Sequence, residues 1–163
     1  MTKPYFISEV SSNHGKSLQR CKEFIKVSSE IGCQAVKFQL FKIDKLFAPE
    51  VLLKSEEHRK RKKWELPVEF LPELSHYTHK LGMEFTCTPF YIEVVKELEP
   101  YVDFYKIASY ELLWDDLIIE CARTGKDLVL STGMATVNEI VHAVDIFRQN
   151  SNAKLTLLHA ISG

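Results

Sequence analysis

Short apolar runs alternate with amphipathic stretches along the whole chain, and this alternation predicts a parallel α/β fold. Glycines at 32, 82 and 125 follow amphipathic stretches, as expected where helices end. Helices are predicted at 17–31, 67–81, 91–98 and 115–123 and after Thr136, which forms a capping box with Glu139. Strands are predicted at 5–10, 35–40, 83–88, 104–108, 127–131 and 155–158.

Several predicted strands place apolar residues on one face and polar residues on the other. Val36, Phe38 and Leu40 share one face of the second strand, and Lys37 and Gln39 share the other. A strand packed on helices whose other face is polar suits a barrel interior that opens to a site. The same segregation recurs in the third strand, with Met83, Phe85 and Cys87 opposite Thr86 and Thr88.

Five complete strand–helix units and a sixth strand leave two architectures open. A (β/α)₈ barrel needs eight units and typically about 200 or more residues. The chain is therefore either about two-thirds of such a barrel or a complete open sheet of the doubly wound type. The recurring polar face favours an α/β fold of the (β/α)₈ TIM-barrel type, truncated after about the sixth strand.

Composition narrows the functional classes. The 163 residues suggest one domain, and a net charge of −1 argues against a general nucleic-acid or membrane-surface binder. No apolar run approaches the ~20 residues that span a bilayer, and the N-terminus lacks the features of a signal peptide. The four cysteines lie far apart, which indicates free thiols in a reducing cytoplasm.

Lys106 stands inside a short apolar strand, and Ser109 follows at its end. A buried ammonium is costly unless it meets an anion, and ligands of parallel α/β proteins bind at the carboxyl ends of strands. We expect Lys106 and Ser109 to hold a phosphate or carboxylate there. The alternative is a lysine whose amine reaches solvent from the end of the strand.

Other polar residues recur at the predicted strand ends. Two inward lysines, several hydroxyls and the turn 131–134 predict a site for a phosphorylated ligand. Glu9 and Glu111 are candidates for acid–base work or for metal and water positioning, or else are structural partners of a lysine. The residues at strand ends are Glu9, Lys37, Gln39, Thr88, Lys106, Ser109, Glu111, Ser131, Thr132 and Ser162.

Three further features each allow two interpretations. His14 and His159 are either metal ligands or structural histidines. Cys87 is either a nucleophile or a buried thiol, and its helix-facing position favours the thiol. The basic run 59–63, in the long connection 41–66, is either a solvated helical turn or part of a lid over an acidic or phosphorylated substrate.

Five ordered motifs resemble those of the sialic acid synthase family, which includes N-acetylneuraminate, pseudaminate and legionaminate synthases and spore-coat polysaccharide relatives. They run from about residue 5 to the end of the chain. The motifs are Ile7-Ser8-Glu9 through Asn13-His14, Val36-Lys37-Phe38-Gln39, Thr86-Cys87-Thr88-Pro89-Phe90, Tyr105-Lys106-Ile107-Ala108-Ser109 and Leu130-Ser131-Thr132-Gly133-Met134-Ala135-Thr136.

The resemblance implies a (β/α)₈ barrel followed by a small antifreeze-like domain. It implies condensation of phosphoenolpyruvate with an N-acyl amino sugar aldehyde, which gives a nine-carbon 2-keto acid and phosphate. A divalent metal, manganese or magnesium, would polarise the aldehyde. The full-length protein would be a homodimer in which the antifreeze-like domain reaches over the partner's site.

The resemblance also assigns residues. Gln39 matches a sugar-contacting position, Glu9 matches a glutamate beside the metal, where it could act through water, and Glu111 matches a glutamate of proton transfer. Residues matching the phosphoenolpyruvate site are Lys37, Thr88, Lys106, Ser109, Ser131 and Ser162.

Two departures from the family qualify these expectations. Tyr110 stands where some sialic acid synthases have glycine, which favours a pseudaminate or spore-coat substrate over N-acetylmannosamine. The family's metal-binding histidines and its antifreeze-like domain come later than residue 163. We therefore expect residues 1–163 to be the N-terminal part of the barrel, to contain no metal ligand and to be inactive alone. The alternatives are a non-catalytic assembly partner and another phosphate-binding barrel, such as a sugar-phosphate aldolase.

Overall fold

Six parallel strands form one sheet in the computed structural model, which describes residues 3–160. Their order across the sheet is their order in sequence. Each strand pairs only with its sequence neighbours, and helices lie between successive strands. The strands are β1 (Ile7–Ser11), β2 (Ala35–Leu40), β3 (Glu84–Pro89), β4 (Phe104–Ile107), β5 (Asp127–Ser131) and β6 (Leu155–Leu158).

This sequential order decides between the two predicted architectures. A doubly wound sheet reverses direction at a switch point, so its strand order departs from sequence order. A barrel adds each strand beside the last, as here. The prediction of a truncated (β/α)₈ barrel is confirmed, and the open doubly wound sheet is excluded.

The helices begin and end close to the predicted positions. Ser17 Oγ accepts the Arg20 N–H at 3.2 Å, and the capping box of Thr136 and Glu139 is present. The helices are α1 (Leu18–Glu30), α2 (Ile43–Leu46), α3 (Pro49–Lys54), α4 (Glu56–Lys60), α5 (Leu71–Lys80), α6 (Val94–Leu98), α7 (Asp115–Arg123) and α8 (Val137–Asn150).

Two helix starts and one helix cap differ from prediction. The predicted helix from Pro67 begins with a 3₁₀ turn (Val68–Phe70), and only α5 is α-helical. The predicted helix 91–98 is α-helical only over α6. Trp114 precedes α7 without a side-chain cap, whereas Asp115 or Asp116 was the predicted cap. Asp115 instead accepts a hydrogen bond from His142 Nε2 of α8 at 2.9 Å, so a tertiary contact takes the carboxylate.

The long connection after β2 is mostly helical. It contains α2, α3, α4 and a 3₁₀ turn (Arg61–Trp64), so the basic run 59–63 lies on short helical turns. Ile43 and Leu66 are buried near its two ends. The predicted helical turn is therefore present, and the lid interpretation stays a prediction.

The core lies between the sheet and its helices. The apolar strand positions Phe38, Phe85 and Tyr105 are fully buried, and Tyr105 Oη donates to the Val95 carbonyl at 2.7 Å. Burying each such side chain contributes about 2 kcal/mol. The predicted division of β2 and β3 into an apolar, buried side and a polar side is confirmed, and the polar side carries the candidate site.

The structure also tests the predictions made for the cysteines and for membrane-spanning helices. All four cysteines are free, and Cys87 is fully buried on the helix-facing side of β3. Burial raises the pKa of the Cys87 thiol far above its ordinary value, so the thiol is a poor nucleophile. Across residues 3–160, no helix has both the length and the apolar character to cross a membrane.

Candidate functional site

A bulge at the end of β1 aims Glu9 at the second strand. The pairing of β1 with β2 runs regularly from Ile7↔Ala35 to Glu9↔Lys37 and then shifts before Ser11, which has a left-handed φ of 54°. The Ser11 N–H donates to Glu9 Oε1 at 2.9 Å, and the Lys37 ammonium donates to Glu9 Oε2. Glu9 is therefore a partner of Lys37, held in place by its own backbone.

Lys37 is the most buried cation of the site. Its side chain is 9% exposed. Burial and, to a smaller extent, repulsion from Lys106 lower the pKa of Lys37 to about 8. Interaction with Cys87 acts on this pKa in the opposite direction. Lys37 in β2 and Lys106 in β4 thus stand on the two strands that flank β3, and their charges repel each other, which favours an anion between them.

Lys106 and Glu111 form the second half of the site. Lys106 is half-buried in β4, and Glu111 follows in the 3₁₀ turn Ser109–Glu111. Burial lowers the pKa of Lys106 and raises that of Glu111, while their mutual attraction partly offsets both shifts. Glu111 Oε2 is buried and meets no hydrogen-bond partner within residues 3–160.

Thr88 places an unused hydroxyl between the two lysine-bearing strands. It lies in β3 opposite Gln39 of β2, and its Oγ1 is buried without a partner in the described chain. An unpaired buried hydroxyl costs about 1–3 kcal/mol, so it usually indicates a bound ligand or water. Gln39 lies half-buried on the same polar side of β2.

The ends of β4 and β5 meet at Ser109 and Gly133. The Gly133 N–H donates to Ser109 Oγ at 3.2 Å. A Cβ at Gly133 would lie 2.9 Å from Ser109 Oγ and would collide with the Ala160 carbonyl, so only glycine allows this approach. Ser131 is buried at the end of β5, beside this contact.

The turn 131–134 differs from the predicted anion cradle. The Thr132 N–H and hydroxyl both donate to the Leu158 carbonyl, each at 3.0 Å, and the Gly133 N–H is taken by Ser109. These donors close the turn onto its neighbours instead of facing a ligand. The side chains of the site, rather than this turn, are therefore its candidate ligand-binding groups.

The structure brings most of the predicted site residues to one end of the sheet. Contacts or charge interactions join Glu9 to Lys37, Lys37 to Lys106, and Lys106 to Glu111. Ser162 lies outside the described residues. The sequence interpretation did not find the bulge at Ser11 or the spacing role of Gly133, for which the only signal was the glycine itself.

The candidate metal ligands do not converge. His14 is buried, with Nδ1 accepting the Lys16 N–H at 3.0 Å, and His159 is exposed. In the part of the chain that the structure describes, no three histidine, cysteine or carboxylate side chains group as metal ligands would.

Fold and site together define a protein of the β/α-barrel type with a cationic, hydroxyl-lined site at the carboxyl ends of its strands. Such a site suits a small ligand with more than one negative charge, because lysines supply charge and hydroxyls supply directed hydrogen bonds.

The chain belongs to the NeuB family, whose model matches residues 24–163. It is 34% identical to the uncharacterized protein MJ1065 of Methanocaldococcus jannaschii over 97% of this chain and 46% of that protein. It is 32% identical to the pseudaminic acid synthase of Helicobacter pylori over 98% of this chain and 50% of the synthase. The chain thus spans about half the length of the curated relatives it matches.

Comparison with a solved structure supports the same family relationship. The N-acetylneuraminic acid synthetase of Leptospira borgpetersenii, crystallised with citrate, superposes with a TM-score of 0.89 at 28% identity. The superposition covers 99% of this chain and 55% of that one. The resemblance to sialic acid synthases is confirmed.

Proposed function

We propose that the polypeptide carrying this chain condenses phosphoenolpyruvate with an N-acyl amino sugar aldehyde, giving a nonulosonic acid and phosphate. Family membership and the names of the similar synthases support this activity. The observation that carries it is the placement of Lys37 and Lys106 on the two strands that flank β3, whose buried Thr88 hydroxyl has no partner among the described residues.

Phosphoenolpyruvate matches the charges of this site. It carries a carboxylate and a phosphate, so two ammonium groups can each meet an anionic group. The hydroxyls of Thr88, Ser109 and Ser131 stand at neighbouring strand ends and can donate to phosphate oxygens. Binding would relieve the repulsion between Lys37 and Lys106 and satisfy Thr88 Oγ1.

The reaction needs groups that handle protons. C3 of phosphoenolpyruvate attacks the aldehyde carbon, water adds at C2, and cleavage of the C–O bond expels phosphate and leaves the ketone. Because burial raises its pKa, Glu111 can hold a proton at the unpaired Oε2 and exchange it with the water or the leaving phosphate. Glu9 orients Lys37, and Gln39 can contact the sugar.

A divalent metal does not fit the residues described. They bring no three metal-ligating side chains together, and Glu9 is already held by Lys37 and the Ser11 N–H. A manganese or magnesium ion and a homodimer stay predictions for the longer polypeptide, as does a cytoplasmic location. Tyr110 favours an amino sugar of the pseudaminate or spore-coat type.

Titration calorimetry with phosphoenolpyruvate tests the proposal. We expect Lys106→Ala to weaken binding about 100-fold, because it removes one of two charge-assisted contacts in a partly dry site. Lys126→Ala is the matched control, since Lys126 Nζ donates to the Val102 carbonyl near the opposite ends of the strands. Equal binding by all three proteins would refute the site.

Turnover provides a second readout. In the longer polypeptide, phosphate release should require both phosphoenolpyruvate and an amino sugar, and Lys106→Ala should abolish it. The chain of 163 residues alone should release none. If borohydride instead trapped a keto substrate on a lysine, the protein would be a Schiff-base aldolase.

A further inference from the structure

The hydroxyl of Ser109, at the end of β4, uses only part of its hydrogen-bonding capacity within the chain. Its Oγ accepts the Gly133 N–H at 3.2 Å. A serine hydroxyl has one proton to donate and two lone pairs that accept. Among residues 3–160, Ser109 Oγ donates to no acceptor. Because Ser109 is half-buried and follows Lys106 by three positions, its proton is available to a ligand at the candidate site.

The turn after β5 holds the Gly133 N–H in place from the side of β6. The Thr132 N–H and hydroxyl both donate to the Leu158 carbonyl, each at 3.0 Å. A Cβ at Gly133 would collide with the Ala160 carbonyl. Met134 has a left-handed φ of 66°, and a residue other than glycine keeps such a backbone only where neighbouring contacts enforce it. The end of β6 therefore fixes the direction in which Gly133 donates.

The direction of this hydrogen bond decides which chemical groups Ser109 can bind. A backbone N–H can only donate, so it occupies a lone pair of Ser109 Oγ and turns the hydroxyl proton away from Gly133. An ionised phosphate or carboxylate oxygen is an acceptor and has no proton to offer. Donation by Gly133 also polarises the hydroxyl, which strengthens the bond that Ser109 donates. The pair therefore suits an anionic oxygen beside the Lys106 ammonium.

We propose that Gly133 is a positioning residue that acts on the ligand through Ser109. Its N–H takes one lone pair of Ser109 Oγ and directs the hydroxyl proton towards an anionic oxygen, while Thr132 holds the turn against β6. The turn 131–134 thus contributes to anion binding indirectly, through one serine instead of through its own N–H groups. That the anion is phosphoenolpyruvate rests on the proposed function, whereas the direction of the hydrogen bond does not.

Amide exchange in the ligand-free chain tests the hydrogen bond itself. The chain has six glycines, so labelling with ¹⁵N-glycine gives a sparse spectrum, and the Gly133 signal is the one missing from Gly133→Ala. Ser109→Ala should accelerate exchange of the Gly133 amide about fivefold, because it removes the acceptor. Ser109→Thr keeps a hydroxyl and should leave the exchange slow. Equal exchange rates in Ser109→Ala and the unmodified chain would overturn the inference.

A double-mutant cycle measured by phosphoenolpyruvate calorimetry tests whether the turn acts through Ser109. Ser109→Ala and Gly133→Ala should each weaken binding about tenfold, because either removes the directed donor. Thr132→Val loosens the turn by removing one of its two bonds to Leu158 and should weaken binding about threefold. In the Ser109→Ala background, neither turn substitution should weaken binding further. Effects that multiply instead would overturn the inference.

Thr136→Val is the matched control for Thr132→Val. It makes the same chemical change four residues later and removes the side-chain cap of α8. Urea unfolding should show a lower midpoint for Thr136→Val, and phosphoenolpyruvate affinity should not change. If Gly133→Ala does not fold, Thr132→Val with Ser109→Ala completes the cycle. An equal loss of affinity in the two threonine variants would mean that affinity follows stability, and would contradict the role of the turn.

Inorganic phosphate separates this inference from the proposed function. If phosphoenolpyruvate does not bind the unmodified chain, the proposed function fails, and the same cycle is measured with phosphate. Phosphate binding in which Thr132→Val has no effect beyond that of Ser109→Ala supports the inference. Multiplying effects, or no binding of either anion, overturn it. If phosphoenolpyruvate binds and the effects multiply, the inference fails while the proposed function stands.

Discussion

The two ends of the sheet treat their polar side chains in opposite ways. At the amino ends of the strands, the carboxylates of Glu84, Asp103 and Asp127 all have hydrogen-bond donors. At the carboxyl ends, Thr88 Oγ1 and Glu111 Oε2 are buried without partners in the described structure. Satisfied polar groups indicate a structural role, whereas buried groups without partners are candidates for contact with a ligand or an ordered water.

Asp103 shows how complete the pairing is at the amino end. Its Oδ2 accepts from the Phe85 N–H at 2.6 Å and from His79 Nε2 at 2.7 Å. A cavity of about 400 Å³ opens at this end, yet none of the predicted site residues lines it. Burial and repulsion from Asp103 and Asp127 raise the pKa of Glu84, so anionic ligands are disfavoured there.

The contrast teaches that cavity volume alone misleads in this molecule. The amino-end cavity is lined by the carboxylates of Glu84, Asp103 and Asp127, so its charge is of the wrong sign for a phosphorylated ligand. In β/α barrels, chemistry occurs at the carboxyl ends of strands and the amino ends contribute stability. The following predictions test that division.

The largest expected effect comes from Lys37→Met. Removing the ammonium should weaken phosphoenolpyruvate binding about 100-fold, while folding stability stays equal or rises by about 1 kcal/mol, because a buried charge is removed. Lys45→Met, an exposed lysine paired with Glu93, serves as control. Calorimetry and urea unfolding measure the two quantities. A fall in stability with unchanged binding would assign Lys37 a structural role. The carboxyl ends of the strands would then not differ from the amino ends in function.

The free energy of unfolding should depend on pH through the titration of Lys37. Its pKa is about 8 in the folded chain and ordinarily 10.5, so between these values the unfolded chain binds more protons. Stability should therefore rise with pH from about 8 to 10.5, by at most about 3 kcal/mol, and the penalty should be fully present below pH 8. Phosphoenolpyruvate binding should fall over the same range, because it needs the ammonium.

Other groups also titrate at high pH, so the contribution of Lys37 is obtained by comparison with Lys37→Met. The difference in unfolding free energy between the unmodified chain and Lys37→Met should shrink as pH rises. A difference that is flat from pH 7 to 10.5 would mean that Glu9 fully compensates the burial of Lys37.

Asp103→Ala should have a smaller effect, and only on stability. It leaves the buried Phe85 N–H without its carboxylate acceptor, which costs about 2 kcal/mol. Asp116→Ala, on the exposed side of α7, is the control. Urea unfolding should show the loss, and phosphoenolpyruvate affinity should not change. A loss of affinity without a loss of stability would assign function to the amino end.

Much of this contrast could be predicted from the sequence, and the missed parts have a common cause. Alternation in β2 and β3 placed Lys37, Gln39 and Thr88 on the polar side, because a strand's side-chain period is fixed at two. The bulge at Ser11 depends on how β1 pairs with β2, which no local pattern encodes. The turn 131–134 is closed by the Leu158 carbonyl, a partner more than 20 residues away. Local periodicity therefore predicted which face of a strand each side chain occupies. Pairing between strands determined which hydrogen-bond donors have no partner within the protein.

The smallest expected effects come from substituting two threonines of β3. They discriminate most sharply between a structural role and a ligand-binding role. Thr86 Oγ1 donates to the Phe104 carbonyl at 2.6 Å, whereas Thr88 Oγ1, two residues nearer the carboxyl end, has no partner among residues 3–160. Thr86→Val should lower stability by about 1 kcal/mol and leave phosphoenolpyruvate binding unchanged. Thr88→Val should leave stability equal or up to about 1 kcal/mol higher and weaken binding roughly tenfold, because the lost hydroxyl has no use without ligand. The two substitutions are chemically identical and differ only in position along one strand. If both lowered stability equally and neither affected binding, the carboxyl end would be as structural as the amino end.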